Sequence, residues 1–144
     1  MGILVHRDRE GKREFAKRLV FCYAAGNSDA HFKNFSLLYN RKWTARRLAP
    51  LYDVTCIPLT GYSTEMPFDI GEHRTLDEID ERDIVILAAD LDVGLNFFGN
   101  AVRDVINTFE APNVGTVASS TRKMIDRVLD NSSPRIRVLK RFLG

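Results

Sequence analysis

Apolar residues recur along much of the chain at the three-to-four-residue spacing of an amphipathic helix. Charged positions flank each stripe, as expected for a helix that packs one face on a core and exposes the other. Core packing explains these stripes without any cofactor. The pattern predicts a mainly α-helical protein, with helices over residues 9–25, 80–90, 95–110 and 114–130 and a last short helix opened by Pro134.

Local signals mark the ends of some of these helices. Gly26 and Asn27 follow the first helix and tolerate the left-handed geometry that ends helices. Thr75 and Glu78 match a capping box ahead of the second helix. Residues 54–74, in contrast, contain several glycines and prolines and are predicted to be irregular.

One small β-hairpin is predicted between the first two helices. Residues 35–39 form a strand-like apolar run, residues 40–44 look like a turn, and residues 45–48 form a returning strand. A polar loop, residues 26–34, comes before this hairpin, and a second loop, residues 49–53, comes after it. Because a hairpin returns its two ends to the same place, we expect the two loops to lie side by side.

Length and composition predict one folded domain over residues 1–144. The net charge of +2 is close to neutral, which argues against direct nucleic-acid binding. No apolar run reaches the roughly 18 to 20 residues of a membrane span, and the N-terminal run is too short for a signal peptide. Cys22 and Cys56 lack partner motifs and are predicted to be reduced, buried thiols. We therefore expect a cytoplasmic protein without membrane contact.

The two loops carry the chemical groups of metal-assisted phosphoryl transfer. Asp29 is followed five residues later by Asn34, a spacing typical of catalytic loops that combine a carboxylate with an amide. The carboxylate of Asp29 can accept a hydrogen bond from an attacking hydroxyl, and the amide oxygen of Asn34 can bind Mg²⁺ without adding charge. Asp53, at the far end of the hairpin, is expected near Asn34 as a second magnesium ligand. With the phosphates of ATP, these two side chains form a sufficient ligand set.

Simpler roles are open for each of these residues. Asp29 could cap a turn, Asn34 could hold a left-handed conformation, and Asp53 could be a surface turn carboxylate. Their joint helix–loop–hairpin–loop context favours the phosphoryl-transfer site. His31 could fix the loop and Lys33 could contact the transferred phosphate, but a structural histidine and a solvated lysine explain them about as well. A metal-dependent phosphohydrolase is disfavoured, because such sites gather more carboxylate or histidine ligands.

The two loops resemble those of HipA-like serine/threonine kinases, the toxin kinases of bacterial toxin–antitoxin modules. Residues 26–36, GNSDAHFKNFS, are similar to the family's catalytic loop, and residues 48–54, LAPLYDV, are similar to the segment that follows it. The resemblance extends over roughly residues 12 to 110. It implies the C-terminal lobe of a kinase-like protein, a HipA-type helical bundle with one small β-hairpin.

By this resemblance, Asp29 is the catalytic base, His31 and Lys33 belong to the catalytic loop, and Asn34 and Asp53 are the magnesium ligands. The implied reaction is Mg²⁺-dependent transfer of a phosphoryl group from ATP to a serine or threonine hydroxyl of a protein substrate. Some family members phosphorylate aminoacyl-tRNA synthetases, and the toxin is held by a DNA-binding antitoxin. The resemblance therefore implies a protein substrate and an antitoxin as partners.

A complete member of the family also has an N-terminal lobe with a phosphate-covering loop and a strand lysine for ATP. Residues 1–28 contain neither feature, so weak or absent activity is expected from the chain alone. The alternative hypothesis is a non-catalytic interaction module that binds an antitoxin or a separate N-lobe. That hypothesis predicts an exposed apolar patch, through which a homodimer could also form.

Overall fold

The computed structural model describes residues 9–144, which fold into four α-helices and two antiparallel β-hairpins. The mainly helical prediction is confirmed, whereas the N-terminal run used to argue against a signal peptide lies outside the described residues. No helix in the described part is long and apolar enough to cross a membrane. The elements are α1 (Arg9–Ala25), β1 (Leu37–Tyr39), β2 (Arg46–Leu48), β3 (Glu65–Ile70), β4 (His73–Thr75), α2 (Glu81–Asp90), α3 (Leu95–Glu110) and α4 (Ser119–Leu143).

Helix α1 lies at the centre of the core and packs against both α3 and α4. Its apolar side chains meet the buried faces of those helices, and the ring of Phe15 also contacts Phe35 just before the first hairpin at 5.2 Å between centroids. Each fully buried large apolar side chain contributes roughly 1.5 to 3 kcal/mol relative to exposure. The core therefore holds the helix that leads into the first loop. Its fully buried members include Val20, Tyr23, Phe98, Val102, Val105 and Leu139.

Helices α1 and α3 have the predicted bounds, but the predicted cap of α2 is wrong. Asp80 is the N-cap, and its carboxylate accepts hydrogen bonds from the backbone N–H groups of Arg82 and Asp83 at 2.7 and 3.3 Å. Asp83 completes the capping box by accepting from the backbone N–H of Asp80 at 2.8 Å. Thr75 cannot take this role because it belongs to strand β4.

The predicted break at Pro134 is also wrong, since α4 continues through it to Leu143. Proline removes one helical N–H and normally costs about 3 kcal/mol inside a helix. Burial of Ile136 and Leu139 beyond the proline offsets this cost, because these side chains extend the apolar stripe of the helix onto the core. At the other end, α4 begins at Ser119, later than predicted, after Gly115 with φ of +60°.

A second hairpin lies where an irregular segment was predicted. Strand β3 buries Met66 and Ile70, and β4 returns beside it after a turn containing Gly71 and Glu72. Pro67 is compatible with this arrangement because each strand of a two-stranded sheet is an edge strand. Residues that looked like breakers therefore belong to an edge strand and its turn. In the same region, Cys56 is only partly buried, unlike the predicted buried thiol, and Cys22 is fully buried.

Candidate functional site

The first loop leaves α1 through Gly26, which has a left-handed φ of +74°. A Cβ at this position would lie 2.9 Å from the guanidinium of Arg135 and 3.0 Å from Pro58, so these side chains would have to shift, and the left-handed φ also favours glycine. Arg135 is buried, and its Nε donates to the carbonyl of Ala24 at 3.2 Å, one of the acceptors left open at the end of α1. Burial lowers the pKa of this guanidinium. A residue of α4 therefore holds the start of the loop in place.

The carbonyl of Asp29 organises the centre of this loop. It accepts hydrogen bonds from the backbone N–H of His31 at 2.7 Å and from the side-chain Nδ2 of Asn34 at 3.3 Å. A short 3-10 turn at Phe32–Asn34 closes the five-residue span. The structure thus brings Asp29 and Asn34 together, as the spacing predicted. Asn34 is buried, whereas the Asp29 side chain is 57% exposed and accessible to a large substrate.

His31 and Lys33 occupy different positions in the loop. The Nδ1 of His31 lies 2.9 Å from a carboxylate oxygen of Asp29, so the imidazole can orient that carboxylate. Lys33 is exposed, and its carbonyl accepts a hydrogen bond from the hydroxyl of Tyr52 at 3.0 Å. The backbone of Lys33 therefore ties the first loop to the second, while its side chain lies at the surface.

The second loop is hydrogen-bonded to the first along its length. The backbone N–H of Ala49 donates to the carbonyl of Ser36 at 2.8 Å, and the hydroxyls of Tyr52 and Ser36 are 2.7 Å apart. The amide of Asn27 donates to the carbonyl of Asp53 at 3.5 Å. Further along, the N–H of Ile57 donates to the carbonyl of Gly26 at 3.0 Å. These contacts place Asp53 beside the first loop, as the hairpin argument predicted.

Asp53 combines an exposed side chain with a strained backbone. Its φ is +56°, a left-handed value that non-glycine residues rarely adopt. Such strain persists where surrounding contacts over-determine the conformation, and it is concentrated at functional sites. The bond from Asn27 is one such contact. Another is Arg18 of α1, a buried side chain that donates to the carbonyl of Ala49 at the start of this loop.

The oxygen groups of the two loops fit Mg²⁺ better than zinc. Within residues 9–144, no group of three or more His, Cys, Asp or Glu side chains is placed to hold a metal ion. One amide from Asn34 and one carboxylate from Asp53 would be a small hard-oxygen set, which suits Mg²⁺ when phosphate and water complete the shell. The Nδ2 of Asn34 is already bonded to Asp29, so its Oδ1 is the atom left for a cation. The buried Oδ1 of Asn27 has no hydrogen-bond partner among the described residues.

Several residues that support this site had no role in the sequence-based prediction. Asn27 and Tyr52 lie inside the two motif segments, so the sequence indicated that they belong to the site. It did not reveal the hydrogen bonds that they make. Arg18 gave no signal beyond its place on a charged helix face. Sequence patterns provided no signal for Arg135, because this residue contacts Ala24, which is 111 residues away in sequence.

Exposed apolar side chains surround the two loops. The ring of Phe32, half exposed, stacks on Phe68 with centroids 4.9 Å apart. Tyr52 and Val54 of the second loop are also exposed. Tyr62 is 77% exposed. It lies near the first loop, because its neighbour Ser63 accepts a hydrogen bond at its carbonyl from the hydroxyl of Ser28 at 2.8 Å. Exposed apolar and aromatic side chains therefore lie on or beside both loops.

Comparisons of the sequence with family models and with known proteins agree with one another. The model of the HipA-like C-terminal domain matches residues 2–132. Two relatives from Sinorhizobium fredii carry the names "Putative kinase Y4mE" and "Putative kinase Y4dM". The first is 30% identical over 115 residues, covering 79% of this chain and 24% of the relative. The second is 26% identical over 133 residues, covering 90% and 32%. The chain thus spans about a quarter to a third of the length of these relatives.

A solved structure has the same fold. A chain in the complex of HipA, HipB and operator DNA from the Shewanella oneidensis MR-1 toxin–antitoxin system aligns with a TM-score of 0.64. The match covers 92% of this chain and 32% of that one, at 14% sequence identity. The arrangement of helices and hairpins described above is therefore the fold of that protein's matching region.

Proposed function

The chain belongs to the HipA-like C-terminal domain family, and from this premise we propose that it supplies the catalytic-loop side of an ATP-dependent protein serine/threonine kinase. The observation that carries the proposal is the hydrogen-bonded joining of the first loop, residues 26–34, to the second, residues 49–53. This joining supports a site in which Asp29 and Asn34 of the first loop act with Asp53 of the second. Metal-assisted phosphoryl transfer requires a base and magnesium ligands with oxygen atoms, and these three side chains would provide them.

Each residue has a distinct role in the proposed reaction. The hydroxyl of the protein substrate donates a hydrogen bond to the exposed carboxylate of Asp29, which His31 orients from 2.9 Å. Lys33 contacts the phosphoryl group as it is transferred. Asn34 and Asp53 hold Mg²⁺. ATP, when bound, would supply the phosphoryl group and leave as ADP, and Mg²⁺ would neutralise charge on the phosphates.

The proposed partners follow from the family and from the extent of the match. The chain spans 24% and 32% of its two kinase-named relatives, so the phosphate-covering loop and the strand lysine are expected on another segment or chain. HipA of the Shewanella complex is assembled with HipB and operator DNA. By analogy, we expect this protein to act on a protein substrate and to be held by an antitoxin.

The first test is calorimetric titration of the chain with Mg²⁺-ATP. Asp53→Ala should abolish the binding expected for the unmodified chain, because it removes the only charged side chain among the proposed ligands. Asp130→Ala is a matched control, since it removes an exposed carboxylate from α4. Binding that survives in Asp53→Ala would exclude the proposed metal site.

The second test separates the base from the metal ligands. When the chain is combined with the segment that completes the ATP site, Asp29→Ala should abolish phosphoryl transfer but leave Mg²⁺-ATP binding intact. Circular dichroism should show an unchanged fold, because the Asp29 side chain is exposed and is not part of the core. Transfer that persists in Asp29→Ala would contradict its role as the base.

The exposed apolar surface favours a second candidate function, a non-catalytic interaction module. A surface intended for burial stays apolar, and Phe32 and Tyr62 meet that description at 50% and 77% exposure. On this hypothesis the folded chain does not bind Mg²⁺-ATP by itself but self-associates or binds an added partner. Phe32→Ser combined with Tyr62→Ser should then weaken association, as measured by analytical ultracentrifugation.

A further inference from the structure

The tip of the first hairpin forms a basic and aromatic surface apart from the two loops. No acidic residue occurs between Asp29 and Asp53, whereas that stretch contains five lysines or arginines. Four of these five lie on the hairpin, and all four are exposed. Two aromatic side chains lie among them. We call this surface the hairpin patch: Tyr39, Arg41, Lys42, Trp43, Arg46 and Arg47.

Trp43 is the most unusual residue of the hairpin patch. It is the only tryptophan of the chain and is 75% exposed. Its φ is +56°, an uncommon conformation for a bulky residue and one that carries strain. The left-handed backbone belongs to the turn closed by Asn40, whereas an indole in water adds little to folding, so the exposure of Trp43 is not explained by packing.

The turn holds Trp43 in a defined position. The side-chain Oδ1 of Asn40 accepts from the backbone N–H of Thr44 at 3.0 Å, and its Nδ2 donates to the Thr44 hydroxyl at 3.0 Å. The carbonyl of Asn40 accepts from the backbone N–H of Trp43, also at 3.0 Å. On one side the indole packs against Tyr39, with centroids 4.8 Å apart and planes 32° from parallel. The aromatic pair is therefore ordered before any ligand arrives, which lowers the entropic cost of binding.

Cations and a concave surface adjoin this aromatic pair. Strand register places Tyr39 opposite Arg46 on one face of the hairpin and Leu38 opposite Arg47 on the other. Together with Asn40 and Ala45, these four residues line a cavity of about 420 Å³. A cavity of this size accommodates a small-molecule ligand or one unit of a polymer. The hairpin patch thus combines a planar stacking surface, guanidinium groups and a recess beside them.

We propose that the hairpin patch binds a single-stranded nucleic acid, with bases stacked on Trp43 and phosphates paired with the arginines. Single-strand binding combines stacking on aromatic rings with basic residues along the backbone. An acidic protein segment would engage the cations but would leave the aromatic pair without a planar partner. A duplex would hide its base faces inside the stack. The single strand is the polyanion that matches both halves of the patch.

This proposal differs from the expectation drawn from net charge. The value of +2 averages the hairpin with acidic residues elsewhere in the chain, so it hides a local excess of positive charge. The patch does not include Asp29, Asn34 or Asp53. The proposal therefore does not depend on the proposed kinase function, and either can fail without the other.

Trp43 itself reports on binding, because no other tryptophan contributes to the fluorescence of the chain. Titration with a thymidine or uridine 12-mer at low salt should quench this fluorescence to saturation. Affinity should fall as salt rises, with a slope of about −0.7 in log K against log salt for each phosphate contact. Polyglutamate tests the charge component alone and should leave the fluorescence unchanged.

Variants measured with a labelled 12-mer by fluorescence anisotropy sharpen the test. Trp43→Ala should weaken binding about 5- to 150-fold through lost stacking. Arg46→Gln with Arg47→Gln should reduce the salt slope by about 1.4, the value for two phosphate contacts. Arg122→Gln with Lys123→Gln removes the same charge from exposed positions on α4 and should leave the slope unchanged.

Three results would overturn the proposal: no saturable quenching at low salt, equal weakening by the two double variants, or equal quenching by polyglutamate. The last result would identify an acidic protein segment as the occupant. Circular dichroism of every variant checks that the substitutions have not unfolded the chain.

Discussion

Two aspartate–histidine pairs in this molecule have nearly the same contact but different surroundings. In the first loop, Nδ1 of His31 lies 2.9 Å from the carboxylate of Asp29, and both side chains are about half exposed. In the second hairpin, Nδ1 of His73 lies 2.8 Å from the carboxylate of Asp83, but the Asp83 side chain is only 2% exposed. The distances alone would not separate a structural pair from a functional one.

The difference lies in what else each carboxylate contacts. Asp83 also accepts from the backbone N–H groups of Glu72 and Asp80, both at 2.8 Å, so it joins the hairpin turn to the start of α2. Burial raises the pKa of Asp83, but these backbone bonds and the bond to His73 outweigh burial and lower it overall. The Asp29 side chain, in contrast, is left exposed to solvent. A carboxylate whose acceptor capacity is used internally holds the fold together, and one kept at the surface is available for chemistry.

The largest expected effect on stability comes from Asp83→Ala. Removing this carboxylate leaves two backbone N–H groups and His73 without their acceptor, which should cost about 4 kcal/mol of unfolding free energy. Asp29→Ala is the matched comparison and should change stability by less than about 0.5 kcal/mol, because its side chain is exposed. Urea denaturation measures both. Equal losses in the two variants would remove the proposed distinction between the pairs.

Gly71→Ala should follow with a loss of roughly 3 kcal/mol. Gly71 has a φ of +64°, and a Cβ there would lie 2.4 Å from the Cα of Asp83, so backbone must move. Gly61→Ala provides the control, since Gly61 has a similar φ of +79° with nothing within 4 Å. It should lose only the roughly 1 kcal/mol of left-handed strain. Similar losses measured by thermal unfolding would show that close packing on Asp83 adds nothing.

Local patterns predicted the parts of this fold that depend on neighbouring residues. The spacing of apolar residues located α1 and α3, and the run around Leu37 together with the turn at Asn40 located the first hairpin. The second hairpin was missed because Pro67 and Gly71 were interpreted as breakers, although an edge strand and a turn accept both. The helix through Pro134 was missed because its continuation depends on tertiary packing of Ile136 and Leu139.

The candidate site likewise has a part that local sequence patterns predicted and a part that depends on contacts distant in sequence. The contact of Asn34 with Asp29 and the placement of Asp53 beside the first loop followed from a short loop and a hairpin, both of which are local in sequence. Their roles in phosphoryl transfer stay predictions until the binding and transfer experiments are done. The contact of Arg135 with the end of α1 joins residues far apart in sequence, and no spacing rule in one sequence reveals such a contact.

The smallest expected effect concerns the pH dependence contributed by His73. The hydrogen bond to Asp83 raises its pKa above the usual value, aided by the nearby charges of Asp83, Glu78 and Asp80. A raised pKa in the folded state means that the stabilisation is fully present below about pH 6.5 and is lost as pH rises through the folded-state pKa. The stability difference between the unmodified chain and His73→Gln should therefore be larger near pH 5.5 than near pH 9. Urea denaturation at the two pH values measures this difference.

Glu72→Gln is the control for this measurement. Glu72 is an exposed neighbour in the same turn, and it contacts Asp83 through its backbone N–H, which the substitution keeps. Its effect on stability should change less with pH than that of His73→Gln. A His73→Gln effect that is constant across the range would mean that the imidazole acts on Asp83 as a neutral hydrogen-bond donor. Asp83 would then depend on its two backbone N–H bonds and not on the charge of His73.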